Sequence, residues 1–135
     1  MGTKYLLPVV AGFALAAAAQ PRPIEQPAIQ ARYSVDYTEC IADSMATPDI
    51  VFCTQVESRQ QQSRLQSAFR RALERLPARR KASFRTAQAL WLTGAGTRCD
   101  KAVADEQFES VKSEKRGQCM LDETIRRTIE LERRR

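Results

Sequence analysis

Apolar side chains recur at spacings of three and four through most of the chain beyond residue 34, the pattern of helices that each bury one stripe. From Thr47 onward Phe52, Val56, Leu65, Phe69, Ala72, Leu73 and Leu76 form such a stripe, with Gln, Arg and Glu between them. Thr47-Pro48-Asp49 starts it. Threonine serves as N-cap, proline takes the first helical position, where no N–H is needed, and aspartate meets the positive end of the helix dipole. Ser58 to Ser63, in the middle of this helix, is polar on nearly every side and is expected to face solvent or a partner. Pro77 closes the helix and opens another over about 78–104, with Phe84, Ala87, Trp91, Ala95 and Cys99 on one side. Gly94 and Gly96 lie inside it, and each costs about 1 kcal/mol relative to alanine, so a kink or break is expected near 93–97. Residues 105–117 are polar and without period. Gly117 then precedes a last helix carrying Cys119, Leu121, Ile125, Ile129 and Leu131, and a short first helix from Ser34 to about Met45 carries Val35, Tyr37, Cys40 and Ile41. The predicted fold class is all-α, a small bundle of about four helices: short, long, long and medium.

The N-terminal residues follow a different rule. Lys4, an apolar run from Tyr5 through Leu15 and Ala17-x-Ala19 read as a cleavable signal peptide over 1–19. The run is too short for the ~20 apolar residues of a membrane-spanning helix, and no cysteine follows it to accept a lipid. Pro21, Pro23 and Pro27 mark 20–33 as a linker, which leaves 34–135 as one helical domain. The mature chain is therefore expected in the periplasm or outside the cell, without a transmembrane segment. Removing 1–19 takes away one cation, Lys4, and leaves a net charge of +5 from the +6 of the whole chain.

The chain has no histidine, which removes the commonest general base and most zinc and non-haem iron sites. Its carboxylate neighbours, Asp105-Glu106 and Asp122-Glu123, point about 100° apart on a helix and do not converge on one substrate atom. No enzyme activity, catalytic residue, metal or cofactor is expected. Cys40, Cys53, Cys99 and Cys119 contain no C-x-x-C pair and suit disulfides in an oxidising compartment. Three connectivities are possible. Cys40 and Cys53 stand at similar distances either side of the turn at Ala46-Thr47, and Cys99 and Cys119 either side of the second connection, so hairpin geometry favours Cys40–Cys53 and Cys99–Cys119.

Over about Cys40 to Leu131 the chain resembles the lysozyme inhibitor LprI N-terminal-like family of small secreted or lipid-anchored bacterial domains. The resemblance is carried by Cys53, Leu65-Gln66-x-x-Phe69, Ala87-Gln88-x-x-Trp91-Leu92, Cys99, and Cys119 leading into Thr124-x-x-Arg127-Thr128-x-x-Leu131. It implies a disulfide-bonded helical envelope domain whose named member inhibits lysozyme. The sequence departs from the pattern at Gly94-Ala95-Gly96, where relatives tend to carry an aromatic-Arg-Asp triplet.

Trp91 lies on the apolar stripe with Phe84 and Ala95, which favours a core role over a binding hot spot, with Gln88 bracing it through its amide. Thr124 and Arg127 could form a partner-binding pair; a hydroxyl bonded along its own helix and an arginine bridging to the Ala87–Trp91 helix is the preferred reading. The densest charge feature is Arg70, Arg71, Arg75, Arg79, Arg80, Lys81 and Arg85, opposed only by Glu74. Its simplest reading is a solvated face; as a binding face it suits anionic envelope polymers such as lipopolysaccharide or teichoic phosphates better than nucleic acid, because stacking aromatics are missing and the chain is exported. The net positive charge repels a cationic lysozyme at long range. A local acidic patch of Asp100, Asp105, Glu106 and Glu109 offers such a target a landing place. The function expected is a non-enzymatic binding protein that inhibits lysozyme or another peptidoglycan hydrolase, with an envelope factor that binds anionic polymers as the alternative.

Overall fold

A computed structural model describes residues 23–134. Five helices follow one another: α1 Gln26–Gln30, α2 Val35–Asp43, α3 Thr47–Glu74, α4 Ala78–Ala102 and α5 Glu109–Arg133, with no strand among the described residues. The expected signal peptide and the first residues of the expected linker lie outside the described residues.

The centre of the bundle is α5. Leu121, Glu123, Thr124, Ile125, Arg127, Thr128, Ile129 and Leu131 are all buried on it, so its C-terminal half is covered on nearly every side. Thr54 of α3 lies beside Gly117 of α5, and Leu65, Ala68 and Ala72 cluster with Leu131, so α3 and α5 run in the same direction. The order of contacts reverses on α4, where Cys99 joins Cys119, Gln88 meets Arg127 and Phe84 meets Arg134, so α4 runs antiparallel to α5. Both long helices pack chiefly on α5 rather than on each other. Two apolar clusters result. Ile29, Tyr37, Cys53, Leu121, Ile125 and Ile129 fill one end, and Leu65, Ala68, Ala72, Phe84 and Leu131 fill the other.

Four expectations are corrected. Folded structure begins before Ser34: Pro27 sits in the first turn of α1, where its missing N–H costs nothing, and Ile29 is fully buried against α5. The last helix starts at Glu109 rather than after Gly117, which makes it as long as α4. Its polar first turns are held by Lys115 on Glu106 and Arg116 on Asp100, contacts that no periodicity within one helix reveals. No break occurs near 93–97, since α4 is continuous from Ala78 to Ala102. Finally, α3 begins at Thr47 itself, so Thr47 is the first helical residue and Ala46 the cap.

The buried face of α3 also differs from the expected stripe. It reads Cys53, Glu57, Gln61, Leu65, Ala68 and Ala72, while Phe52 is 62% exposed. Cys53 sets the phase by joining Cys40 of α2, with Cα atoms 5.9 Å apart, and the adjacent Phe52 is turned outward. Within the polar stretch expected to be exposed, Gln61 is buried with Glu57 just before it. The backbone around Ser34 explains both. The Glu57 carboxylate accepts hydrogen bonds from Ser34 N at 3.0 Å, Ser34 Oγ at 2.6 Å and Gln61 Nε2 at 2.7 Å, while Gln61 Nε2 also donates to the Arg32 carbonyl at 2.8 Å. Buried polar groups of α3 thus satisfy the turn between α1 and α2, where orphaned backbone would be costly.

Candidate functional site

Because α3 and α4 both lean on α5 and diverge from each other, a crevice opens between them with α5 as its floor. Its more apolar part is a groove of about 540 Å³. Leu65, Phe69, Ala89, Trp91, Leu92 and Met120 supply its apolar surface. Gln62, Gln66, Gln88 and Arg85 supply polar atoms, and among the described residues no carboxylate lines it. Five residues that carry the family resemblance, Leu65, Phe69, Gln88, Trp91 and Thr124, therefore meet in one place. Leu131 does not join them; it is buried in the adjoining cluster.

Arg127 holds the α4 wall in position from below. It is 6% exposed, donates from Nε to Gln88 Oε1 at 2.9 Å and from Nη1 to Glu130 Oε2 at 3.0 Å, and places its guanidinium carbon 5.7 Å from the Trp91 ring centre. Gln88 thus engages the arginine rather than bracing the tryptophan. Thr124 Oγ1 donates along its own helix to the Met120 carbonyl at 2.8 Å. Trp91 is half-buried, with part of its surface left to the groove. Ala87, expected on the buried side, is exposed.

Both cysteine pairs form the disulfides that hairpin geometry favours, Cys40–Cys53 and Cys99–Cys119, the second with Cα atoms 5.6 Å apart. Cys99–Cys119 ties α4 to α5 at one end of the groove. Next to it Arg98 and Arg126 both bind the Glu123 carboxylate. Ala95, in the segment that departs from the family pattern, is fully buried, while a side chain at Gly96 would meet open space.

The basic residues of the Arg70–Arg85 region differ in which cavity they line. Arg70, Arg71, Arg75, Arg79, Arg80 and Arg85 are exposed, Lys81 is half-exposed, and none of the seven forms an ion pair among the described residues. Arg85 lines the groove, Arg75 and Arg80 line a second cavity nearer the α3–α4 turn, and Arg70, Arg71, Arg79 and Lys81 line neither. The acidic patch is partly neutralised by its own neighbours. Asp100 is held by Arg116, and the Lys115 ammonium holds Glu106 below the usual carboxylate range.

Ala89 and Met120 are groove residues that the sequence did not single out, and Gln66 and Leu92 entered it only as members of the family motif. The available signal was Leu92, an apolar residue adjacent to Trp91 but off the buried stripe, and it is 57% exposed. No helix among the described residues is long and apolar enough to cross a membrane.

A family model described as Lysozyme inhibitor LprI matches residues 39–131, a span that takes in the whole groove and both disulfides. No curated protein and no solved structure matches the chain.

Proposed function

Because the chain belongs to the LprI family of lysozyme inhibitors, we propose that it is a non-enzymatic protein of the cell envelope that blocks a peptidoglycan-cleaving enzyme, and that the α3–α4 groove is its docking surface. The observation that carries this reading is the convergence of Leu65, Phe69, Gln88, Trp91 and Thr124 on one apolar groove. Leu92 sits exposed at its wall, and an apolar surface of this kind suits a projecting element of a partner.

Charge narrows the partner. Among the described residues the groove offers Arg85 and no carboxylate, on a chain whose net charge of +6 falls to +5 once residues 1–19 are removed. A target with an acidic cleft rim is steered in, whereas a strongly cationic one is repelled. Enzymes that cut the glycan with paired carboxylates present negative charge at the cleft itself. Two disulfides and a signal-peptide-like N-terminus support placement in the periplasm or outside the cell. The test is titration of the oxidised protein into lysis of a peptidoglycan suspension by hydrolases of several classes and charges. Inhibition of acidic-clefted members at near-stoichiometric ratio is expected; no inhibition of any class at large molar excess removes the proposal.

A second reading is favoured by the seven cations that have no ion-pair partner among the described residues. It is a non-inhibitory envelope factor that binds anionic polymers through the Arg70–Arg85 region. Salt-sensitive binding to lipopolysaccharide that survives reversal of Arg71, Arg75 and Arg79 to Glu would remove it.

A further inference from the structure

Where α3 turns into α4, beyond the stacked rings of Phe69 and Phe84, the crevice contains a second cavity of about 630 Å³. Ala72, Leu76 and Phe84 give it an apolar floor, and three arginines line it from the ends of three different helices: Arg75 at the C-cap of α3, Arg80 in the first turn of α4 and Arg134 at the C-cap of α5. Among the described residues no carboxylate lines it, and none of these arginines forms an ion pair there. Arg134 is positioned over the floor, with its guanidinium carbon 5.9 Å from the centre of the Phe84 ring.

Fold stability accounts for only part of this arrangement. Arg75 and Arg134 cap the C-terminal ends of α3 and α5, where a cation complements the negative end of the helix dipole. The start of α4 is the opposite case. Arg79, Arg80 and Lys81 crowd its first turn, which holds no acidic residue, and so place like charges at the positive end of the dipole. That placement weakens the helix unless an anion relieves it.

We infer that this cavity binds a phosphomonoester carried on an apolar body. A phosphate dianion offers three terminal oxygens to the guanidinium forks; a carboxylate has two oxygens and one charge, and leaves part of the triad unmatched. Phe84, Leu76 and Ala72 then cover the apolar part of the ligand. The Ser83 hydroxyl already donates to the Arg80 carbonyl at 3.0 Å, so recognition falls to the three arginines. This deepens the polymer-binding reading by assigning it to one cavity, and it is independent of hydrolase inhibition.

The test is calorimetry on the oxidised protein with dihexanoyl phosphatidic acid below its micelle concentration. Inorganic phosphate and dihexanoyl phosphatidylcholine are the controls. Phosphatidic acid is expected to bind at least about tenfold more tightly than either control. Arg75→Gln with Arg80→Gln lowers its affinity at least about tenfold, while Arg70→Gln with Arg71→Gln, the same loss of charge outside the cavity, lowers it less than about threefold. Ala87→Glu, at an exposed position on the cavity wall, abolishes binding without touching the core. Equal losses from the two double variants, phosphate bound as tightly as the amphiphile, or no binding of phosphatidic acid each overturn the inference. Lipopolysaccharide binding that depends on Arg70 and Arg71 but not on Arg75 and Arg80 leaves the general polymer-binding reading standing and removes the cavity.

Discussion

Arg127 of α5 reaches under α4 to place its guanidinium 5.7 Å from the Trp91 ring centre while its Nε donates to Gln88 at 2.9 Å. One buried cation thus fixes two groove residues on the neighbouring helix, and it does so without direct exposure to a partner. Arg127→Ala removes a charged hydrogen bond, an ion pair with Glu130 and packing under the indole. The expected cost is about 2–3 kcal/mol. Arg127→Met keeps the packing stem and is expected to cost about 1 kcal/mol less. Trp91 is the only tryptophan, so urea unfolding followed by its fluorescence measures both.

Glu57 holds the Ser34 turn with two hydrogen bonds and orients Gln61 toward the Arg32 carbonyl. Glu57→Ala leaves buried donors without an acceptor and is expected to cost about 2–3 kcal/mol. The loss should be local. Amide exchange is expected to accelerate in residues 26–37, while protection in the second half of α5 persists under native conditions. Uniform acceleration across the bundle would contradict this role for Glu57.

Each disulfide closes a loop of moderate length, 13 residues for Cys40–Cys53 and 20 for Cys99–Cys119. Replacing either pair with alanine is expected to cost roughly 3 kcal/mol. Their effects on binding should differ. Cys99–Cys119 anchors the α4 wall of the groove, so its loss weakens inhibition of a hydrolase more than loss of Cys40–Cys53, measured on variants that remain folded.

Tyr33 and Tyr37 are the tyrosines among the described residues, and burial first of all, reinforced by the Asp122 charge, pushes both phenols above their ordinary range. A group whose folded pKa is raised contributes stability that is complete below the unfolded value and is lost as pH rises. The protein should therefore keep full stability through neutral pH and lose it above about pH 10, the unfolded phenol value. Absorbance at 295 nm checks this: phenolate should appear at higher pH in the folded chain than in urea. Coincident titrations would contradict it.

The long helices and both disulfides were legible because each rests on local information, a three-to-four spacing or a cysteine pair astride a turn. The bridge from Arg127 to the Ala87–Trp91 helix was legible for a similar reason. What stayed hidden depends on contacts between distant segments. Glu57 and Gln61 look like a solvated face in sequence, and only the Ser34 turn makes them interior. The start of α5 has no apolar period and is held by Lys115 and Arg116 on Glu106 and Asp100. Phe52 fits the stripe by type, yet Cys53 takes the inward position because Cys40 is there to meet it. The groove was hidden for the converse reason: its residues were visible as a motif, but the divergence of α3 from α4 belongs to tertiary packing alone.

The central claim is that the α3–α4 groove docks the hydrolase. Leu92 and Ala89 are exposed groove residues, so Leu92→Asp and Ala89→Glu should leave the helical spectrum and unfolding midpoint nearly unchanged, within about 0.5 kcal/mol. The decisive measurement is the inhibition constant of these two variants beside the unaltered protein against the hydrolase it inhibits best. A rise of at least about tenfold, equivalent to 1.4 kcal/mol of binding, is the predicted result. Undiminished inhibition by both folded variants would contradict it.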